Sequence, residues 1–150
     1  MTRLLTITVV VALAATACRA PGQPPRHPDD ATYRDLIRRE VSTAGSALGS
    51  AELVLAQERA GKITVTYAEV GLRQSAADLE GVATDLTEVT PPPERAAAQR
   101  LLGTIATRDG ALLRSIADRW PGAKAVTRAQ ARAAADERRI GGSLSSALGA

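Results

Sequence analysis

The sequence has few residues of the types that most often carry chemistry. Its 150 residues include one cysteine, one histidine, one tryptophan, two tyrosines and no phenylalanine. The chain after residue 28 contains neither cysteine nor histidine, so no Ser-His or Cys-His pair forms there. The Glu-x-x-His pairs of di-iron bundles are also missing. We therefore predict a protein that is not an enzyme, has no metal site and binds no cofactor.

Carboxylates are the one ligand set left for a metal. Asp78, Glu80, Asp85 and Glu88 lie in one segment that reads as a helix, and carboxylate oxygens suit hard divalent cations. Asp85 and Glu88 are expected to face solvent beside the apolar stripe of that helix. A solvated acidic face is the preferred interpretation, and a metal-dependent hydrolase is kept as an alternative.

The shortage of aromatic residues also bears on partners. Proteins that bind nucleic acid usually combine a strongly basic surface with aromatic side chains on which bases stack. This chain has a formal net charge of only +3, so no nucleic-acid partner is expected. A protein partner is possible, and the sequence does not define an oligomeric state.

The longest apolar run lies at the N-terminus. Eleven of the 14 residues from Leu4 to Ala17 are apolar, and Arg3 precedes them. As a helix this run would span roughly 21 Å, which is shorter than the roughly 30 Å hydrocarbon core of a bilayer. Residues 1–17 are therefore predicted to be a cleaved export signal rather than a membrane-spanning anchor.

The only cysteine follows this run directly. Ala15-Thr16-Ala17-Cys18 resembles the lipobox of bacterial lipoproteins, and the chain resembles the short helical lipoproteins of high-GC bacteria. The resemblance implies cleavage between Ala17 and Cys18 and a diacylglyceryl group on the Cys18 thiol. Membrane lipid would then be a partner, with the protein at the outer face of the cytoplasmic membrane. The alternative is ordinary cleavage after Ala17, which would release a soluble binding module.

Residues 18–28 read as a tether. They contain four of the eight prolines, which favour an extended backbone that reaches roughly 30 Å over 11 residues. His27 lies in this segment and is expected to be an exposed spacer residue rather than a metal ligand, because no second histidine or cysteine completes a soft site.

Residues 29–150 show helical spacing throughout. Helix one is predicted from Asp30 to Ala60, with Asp29, Asp30 or Thr32 as its N-cap and Gly61 as its stop. Helix two is predicted to begin with a capping box, Thr66 to Glu69, flanked by a Val65–Val70 hydrophobic staple, and to end near Thr90. Its apolar stripe comprises Ala68, Leu72, Ser75, Leu79, Val82, Leu86 and Val89.

Two further helices complete the fold. Helix three is predicted from Glu94 to Arg119, where Trp120-Pro121-Gly122 ends it. Helix four is predicted from Thr127, through a second capping box, Thr127 to Gln130. Gly141-Gly142 interrupts its apolar stripe, and the sequence leaves open whether the helix continues through them. Four helices joined by short connections predict an all-α fold, an antiparallel up-down four-helix bundle. Such a domain suits protein interaction or scaffolding.

Helix three carries one irregularity. Its apolar stripe reaches either Arg108 or Asp109 at mid-helix, followed by Gly110. Either the helix rotates slightly so that both side chains reach water, or they form a polar notch that accepts a ligand or partner. Four charged pairs are spaced for support within one helix: Asp30/Arg34, Asp35/Arg39, Glu69/Arg73 and Arg132/Asp136.

Overall fold

The structure is a computed structural model that describes residues 27–120 and 123–148. The predicted export signal, Cys18 and most of the tether, like Pro121 and Gly122, lie outside the described residues. The described part is all-helical and contains no β-strand. Its elements are α1 (Asp30–Arg59), α2 (Val65–Thr87), a 3-10 turn (Pro93–Arg95), α3 (Ala96–Arg119), α4 (Ala123–Arg139), a π-helical turn (Ile140–Leu144) and α5 (Ser145–Leu148).

Both ends of α1 agree with the sequence prediction. The Asp29 carboxylate accepts a hydrogen bond from the Thr32 amide at 2.8 Å, and this bond lowers the pKa of Asp29. At the other end Gly61 takes a φ of +68°, a conformation that glycine adopts without steric cost. The Gly61 amide then donates to the Glu58 carbonyl at 2.8 Å, so the chain leaves α1 through a glycine C-cap.

The predicted start of α2 is wrong by two residues. The N-cap is Thr64, whose side chain accepts from the Tyr67 amide at 3.2 Å, and Thr66 already lies inside the helix. The Val65–Val70 staple is also wrong, because the two side chains are 37% and 62% exposed. The short connection from the end of α1 favours Thr64, the first residue that can cap the helix.

The predicted start of α4 is wrong for a different reason. The helix begins at Ala123, so Thr127 lies within it and is not its N-cap. Val126 is 3% exposed and continues the buried face of Ala129 and Ala133 at helical spacing. Burial of Val126 requires this first turn to be helical, and tertiary packing therefore outweighs the local capping signal.

The structure shows that helix four does not continue regularly through Gly141-Gly142, a point that the sequence leaves open. Gly142 has non-helical dihedral angles (φ −105°, ψ −107°) within the π-helical turn. Ile140, Leu144 and Leu148 are nevertheless all buried. The kink at Gly142 thus keeps the apolar side chains on both sides of it directed into the same core.

One hydrophobic core joins buried side chains from all four long helices. Every predicted stripe residue of α2 is buried, and α1 contributes buried residues with the same spacing, apart from the half-buried Val41. α1 packs against α2 and α4, α2 packs extensively against α3, and α3 and α4 share a smaller contact. Among the described helices, none combines the length and hydropathy needed to cross a membrane.

The glycines inside the helices fall into two groups. A Cβ added at Gly81 would meet no atom within 4 Å, whereas one added at Gly71 would lie 3.0 Å from Val54 Cγ2. We expect Gly81→Ala to raise the free energy of unfolding by about 0.5–1 kcal/mol. Gly71→Ala is expected to gain less or to destabilise, because Val54 must move. Denaturant unfolding checks both, and an equal gain at the two positions would contradict this packing.

Candidate functional site

The two residues predicted to form a polar notch lie where α3 meets α4. Asp109 is buried, with a side chain 3% exposed, and the Arg108 side chain is 40% exposed. Arg108 Nε donates to Asp109 Oδ1 at 2.9 Å, and Arg108 Nη2 to Asp109 Oδ2 at 3.3 Å. The expectation that both side chains reach water is therefore wrong for Asp109.

Two residues of α4 fill the rest of this notch. Arg132 Nε lies 3.3 Å from Asp109 Oδ1, and Arg108 also pairs with the Asp136 carboxylate. Arg108, Asp109, Arg132 and Asp136 together form what we call the α3–α4 ion cluster. Two guanidinium groups and two carboxylates balance in formal charge, so the cluster joins two helices and leaves no uncompensated charge for an ionic ligand.

Burial dominates the electrostatics of this cluster. It raises the pKa of Asp109, hydrogen bonds and the charge of Arg108 oppose that rise, and Asp136 adds to it. Asp109 in turn raises the pKa of Arg108. A buried carboxylate held this way depends on its cations, because the interior solvates a lone charge poorly.

Most of the pairs predicted within single helices form differently. Only Asp30 and Arg34 pair as predicted. Apart from Glu69, the other groups of these pairs have ion-pair partners elsewhere, because opposite charges in neighbouring helices or nearby in the same helix lie closer. The observed pairs are Arg38–Asp35, Arg39–Glu40, Arg73–Asp118, Arg132–Asp109 and Arg108–Asp136.

A second polar group joins α1, α2 and α3, and the sequence analysis did not identify it. The buried Tyr33 hydroxyl donates to Gln99 Oε1 at 3.0 Å. Gln99 Nε2 donates to the carbonyls of Leu86 and Val89 at 2.9 and 3.0 Å. Arg95 stacks 5.6 Å from the centroid of the Tyr33 ring. We call Tyr33 and Gln99 with these partners the Tyr33–Gln99 junction. Within it, the Gln99 side-chain nitrogen donates two hydrogen bonds and the side-chain oxygen accepts one.

Glu40 is the third buried polar side chain of note. It lies on the core face of α1, 3% exposed, and its Oε1 accepts from Arg39 Nε at 2.9 Å. Burial raises its pKa, the Arg39 hydrogen bond opposes this, and Asp85 adds to the rise. Folding therefore favours the protonated form of Glu40.

This burial gives a pH-dependent prediction. Since the folded pKa of Glu40 lies above its unfolded value, its contribution to stability falls as pH rises through that raised pKa. Glu40→Gln removes the charge, so we expect a higher melting temperature at neutral pH and a gain that shrinks as the pH falls through the raised pKa of Glu40 toward the usual glutamate range. Glu94→Gln, at an exposed position, is the control. A constant gain at every pH would contradict the prediction.

The acidic residues considered for a hydrolase do not meet at one point. Asp78 accepts a hydrogen bond from Gln74 Nε2 at 2.8 Å, and Glu80 pairs with Arg114 across to α3. Within residues 27–120 and 123–148, no group of three or more acidic, histidine or cysteine side chains is placed to hold a metal ion. His27 is exposed.

A half-open groove runs between the last turns of α2 and the first half of α3. Its volume is about 650 Å³, within the roughly 300–1,000 Å³ typical of small-molecule sites. Small and apolar side chains form much of its lining, and exposed Thr87, Arg100 and Thr104 lie at its open side. The groove has no signature in the sequence, because the apolar stripe of one helix does not show how far two helices diverge outside the core.

These features define the class: a small all-helical domain with a buried ion cluster and an apolar surface groove. No family model, no curated protein and no solved structure matches the chain.

Proposed function

We propose that this protein is an exported lipoprotein that displays a non-catalytic helical bundle at the outer face of the cytoplasmic membrane. One observation carries the proposal: the lipobox-like Ala15-Thr16-Ala17-Cys18 follows an apolar run that is too short to span a bilayer. Two acyl chains on Cys18 would anchor the protein durably, because each buried methylene contributes about 0.8 kcal/mol.

The packing of the domain is compatible with display on a lipid anchor. The apolar stripes of the long helices are buried against one another, so the domain needs no lipid contact to satisfy them. α1 begins at Asp30, 12 residues after Cys18, which leaves a proline-rich spacer between membrane and domain.

The helix order proposed for this domain is the up-down arrangement. Arg73 near the start of α2 pairs with Asp118 near the end of α3. Glu80 pairs with Arg114 further along, and this progression supports an antiparallel α2–α3 pair. The short connection through Gly61 supports the same relation for α1 and α2.

An interaction or scaffold role follows from the exposed apolar side chains. Tyr67 and Val70 are 66% and 62% exposed, and their i, i+3 spacing places them side by side on α2. Exposed apolar groups of this kind favour contact with another protein. No catalytic step is part of the proposal.

Lipidation is tested in cells that export the protein. We expect metabolic labelling with an alkyne fatty acid to mark the native chain and Thr16→Ser, which keeps the thiol, but not Cys18→Ser. Globomycin, which blocks lipoprotein signal peptidase, should cause a precursor to accumulate. Normal processing with globomycin and an unmodified Cys18 by intact mass would instead support the alternative, a soluble secreted binding module.

The interaction role has a separate test. A photocrosslinking amino acid at Tyr67 should give a discrete adduct in intact cells, whereas the same residue at the exposed Arg138 should not. Equal labelling from both positions, or none from either, would reject a specific contact at Tyr67 and Val70.

A further inference from the structure

The groove between α2 and α3 has an apolar floor and a trough shape. Ala83 and Leu86 of α2 line one side, and Ala96 and Gly103 of α3 line the other, with Pro91 at one end. Gly103 keeps the trough open, because a Cβ there would meet only Leu86 Cδ1, at 3.9 Å. A larger side chain at Gly103 would project into the groove.

Most polar groups around the groove already form hydrogen bonds or ion pairs within the protein. The Thr87 and Thr104 hydroxyls donate to backbone carbonyls of their own helices at 2.7 and 2.8 Å. Gln99 belongs to the Tyr33–Gln99 junction, and Arg108 to the α3–α4 ion cluster. The charged lining residues are Arg108, which is paired, and the exposed Arg100, for which the described part of the chain shows no ion pair. An occupant should therefore be largely apolar and carry one anionic group.

The length of the groove indicates which kind of apolar ligand fits it. Its α3 side runs from Ala96 to Arg108, roughly 18 Å at a rise of 1.5 Å per residue. One leaflet of a bilayer's hydrocarbon core is about 15 Å thick, which is the reach of one acyl chain. A single extended chain thus matches the trough.

We propose that this groove binds a free long-chain fatty acid, with its acyl chain along the apolar floor and its carboxylate on the Arg100 guanidinium. One guanidinium matches one carboxylate, and the two groups can form paired hydrogen bonds. This binding goes beyond the lipoprotein role and does not depend on it, because the groove lies wholly in the folded domain.

The first experiment measures binding of hexadecanoate to the full chain carrying Cys18→Ser, which prevents acylation of its own thiol. Isothermal titration should show saturable binding of one equivalent. Gly103→Leu fills the trough and should abolish binding. Gly81→Leu makes the same change at an exposed position on α2 outside the groove and should leave binding unchanged. Ala96→Leu replaces Gly103→Leu if circular dichroism shows that the latter does not fold.

The second experiment tests the carboxylate. Arg100→Met keeps a long apolar side chain and should weaken hexadecanoate binding roughly tenfold, as expected for loss of a charge-assisted hydrogen bond. Hexadecanol, which has the same chain without the charge, should bind both proteins equally. Octanoate should bind more weakly than hexadecanoate, because it leaves half of the floor uncovered.

Three outcomes would overturn the proposal. They are no saturable binding of hexadecanoate, equal loss in Gly103→Leu and Gly81→Leu, and affinity that is independent of chain length. Sedimentation analysis without fatty acid tests whether a second copy of the chain occupies the groove instead. A native dimer that becomes a monomer in Gly103→Leu would assign the groove to that second copy and exclude the fatty acid.

Discussion

Tyr33→Ala is expected to lower the free energy of unfolding by about 3–5 kcal/mol, the usual cost of deleting a buried aromatic side chain. Tyr33 is 1% exposed, and its loss would leave a cavity between α1 and α3. It would also leave the buried Gln99 Oε1 without its donor. For a domain whose total stability is of order 5–15 kcal/mol, the change should be visible as a large drop in melting temperature.

Two variants separate the cavity from the hydrogen bond. Tyr33→Phe keeps the ring and removes only the hydroxyl, so about 1–3 kcal/mol should be lost through the unsatisfied Gln99 oxygen. Tyr67→Ala makes the same truncation at a side chain that is 66% exposed and should change stability by about 0.5 kcal/mol or less. Equal losses at Tyr33 and Tyr67 in urea unfolding would contradict the assigned role of the junction.

The sequence was sufficient to predict the helices because their stripes repeat at helical spacing over many turns. In α2 the 4, 3 spacing from Ala68 to Val89 agrees with burial at every position. Helix starts were harder to predict because Thr64 and Thr66 lie two residues apart at the start of α2 and threonine is a good N-cap at either position. At α4 the buried Val126, a tertiary effect, decided the start against Thr127.

The polar sites depend on pairings between helices, which the spacing within one helix does not contain. The sequence identified Asp109 as an interruption of the α3 stripe, and the structure places it there, buried. Its partners came from α4, where Arg132 and Asp136 had been interpreted as an ordinary i, i+4 pair. Gln99 gave no signal at all, because a single glutamine near a helix start has no distinctive pattern.

The second large prediction concerns the α3–α4 ion cluster: loss of Arg108 should destabilise the protein far more than loss of Asp109. Among the described residues, Arg108 is the one that pairs with both Asp109 and Asp136, so Arg108→Met leaves two neighbouring carboxylates that are 3% and 12% exposed. We expect a loss of about 3–5 kcal/mol at neutral pH. Asp109→Leu should be neutral or stabilising, because Arg108 and Arg132 are about 40% exposed and can reach water.

A matched pair on the surface provides the control for this asymmetry. Arg114→Met breaks the Arg114–Glu80 pair, in which both side chains are nearly half exposed, and should change stability far less than Arg108→Met, because water screens an exposed ion pair. The double variant Arg108→Met/Asp109→Leu should recover most of the stability lost in Arg108→Met, because the buried charge that lacked a partner is gone. Additive effects in the double-mutant cycle would contradict a coupled cluster.

The pH dependence of Arg108→Met follows from the same burial. The folded pKa of Asp109 is already raised, so the folded state holds this proton more tightly than the unfolded state, and ionised Asp109 costs more stability as pH rises. Loss of Arg108 removes the main influence that lowers this pKa. The deficit of Arg108→Met relative to the native chain should therefore be greatest at neutral pH and shrink as Asp109 is protonated on acidification. Urea unfolding of both chains across that range measures it, and a deficit that grows on acidification would show that Arg108 does not act through Asp109.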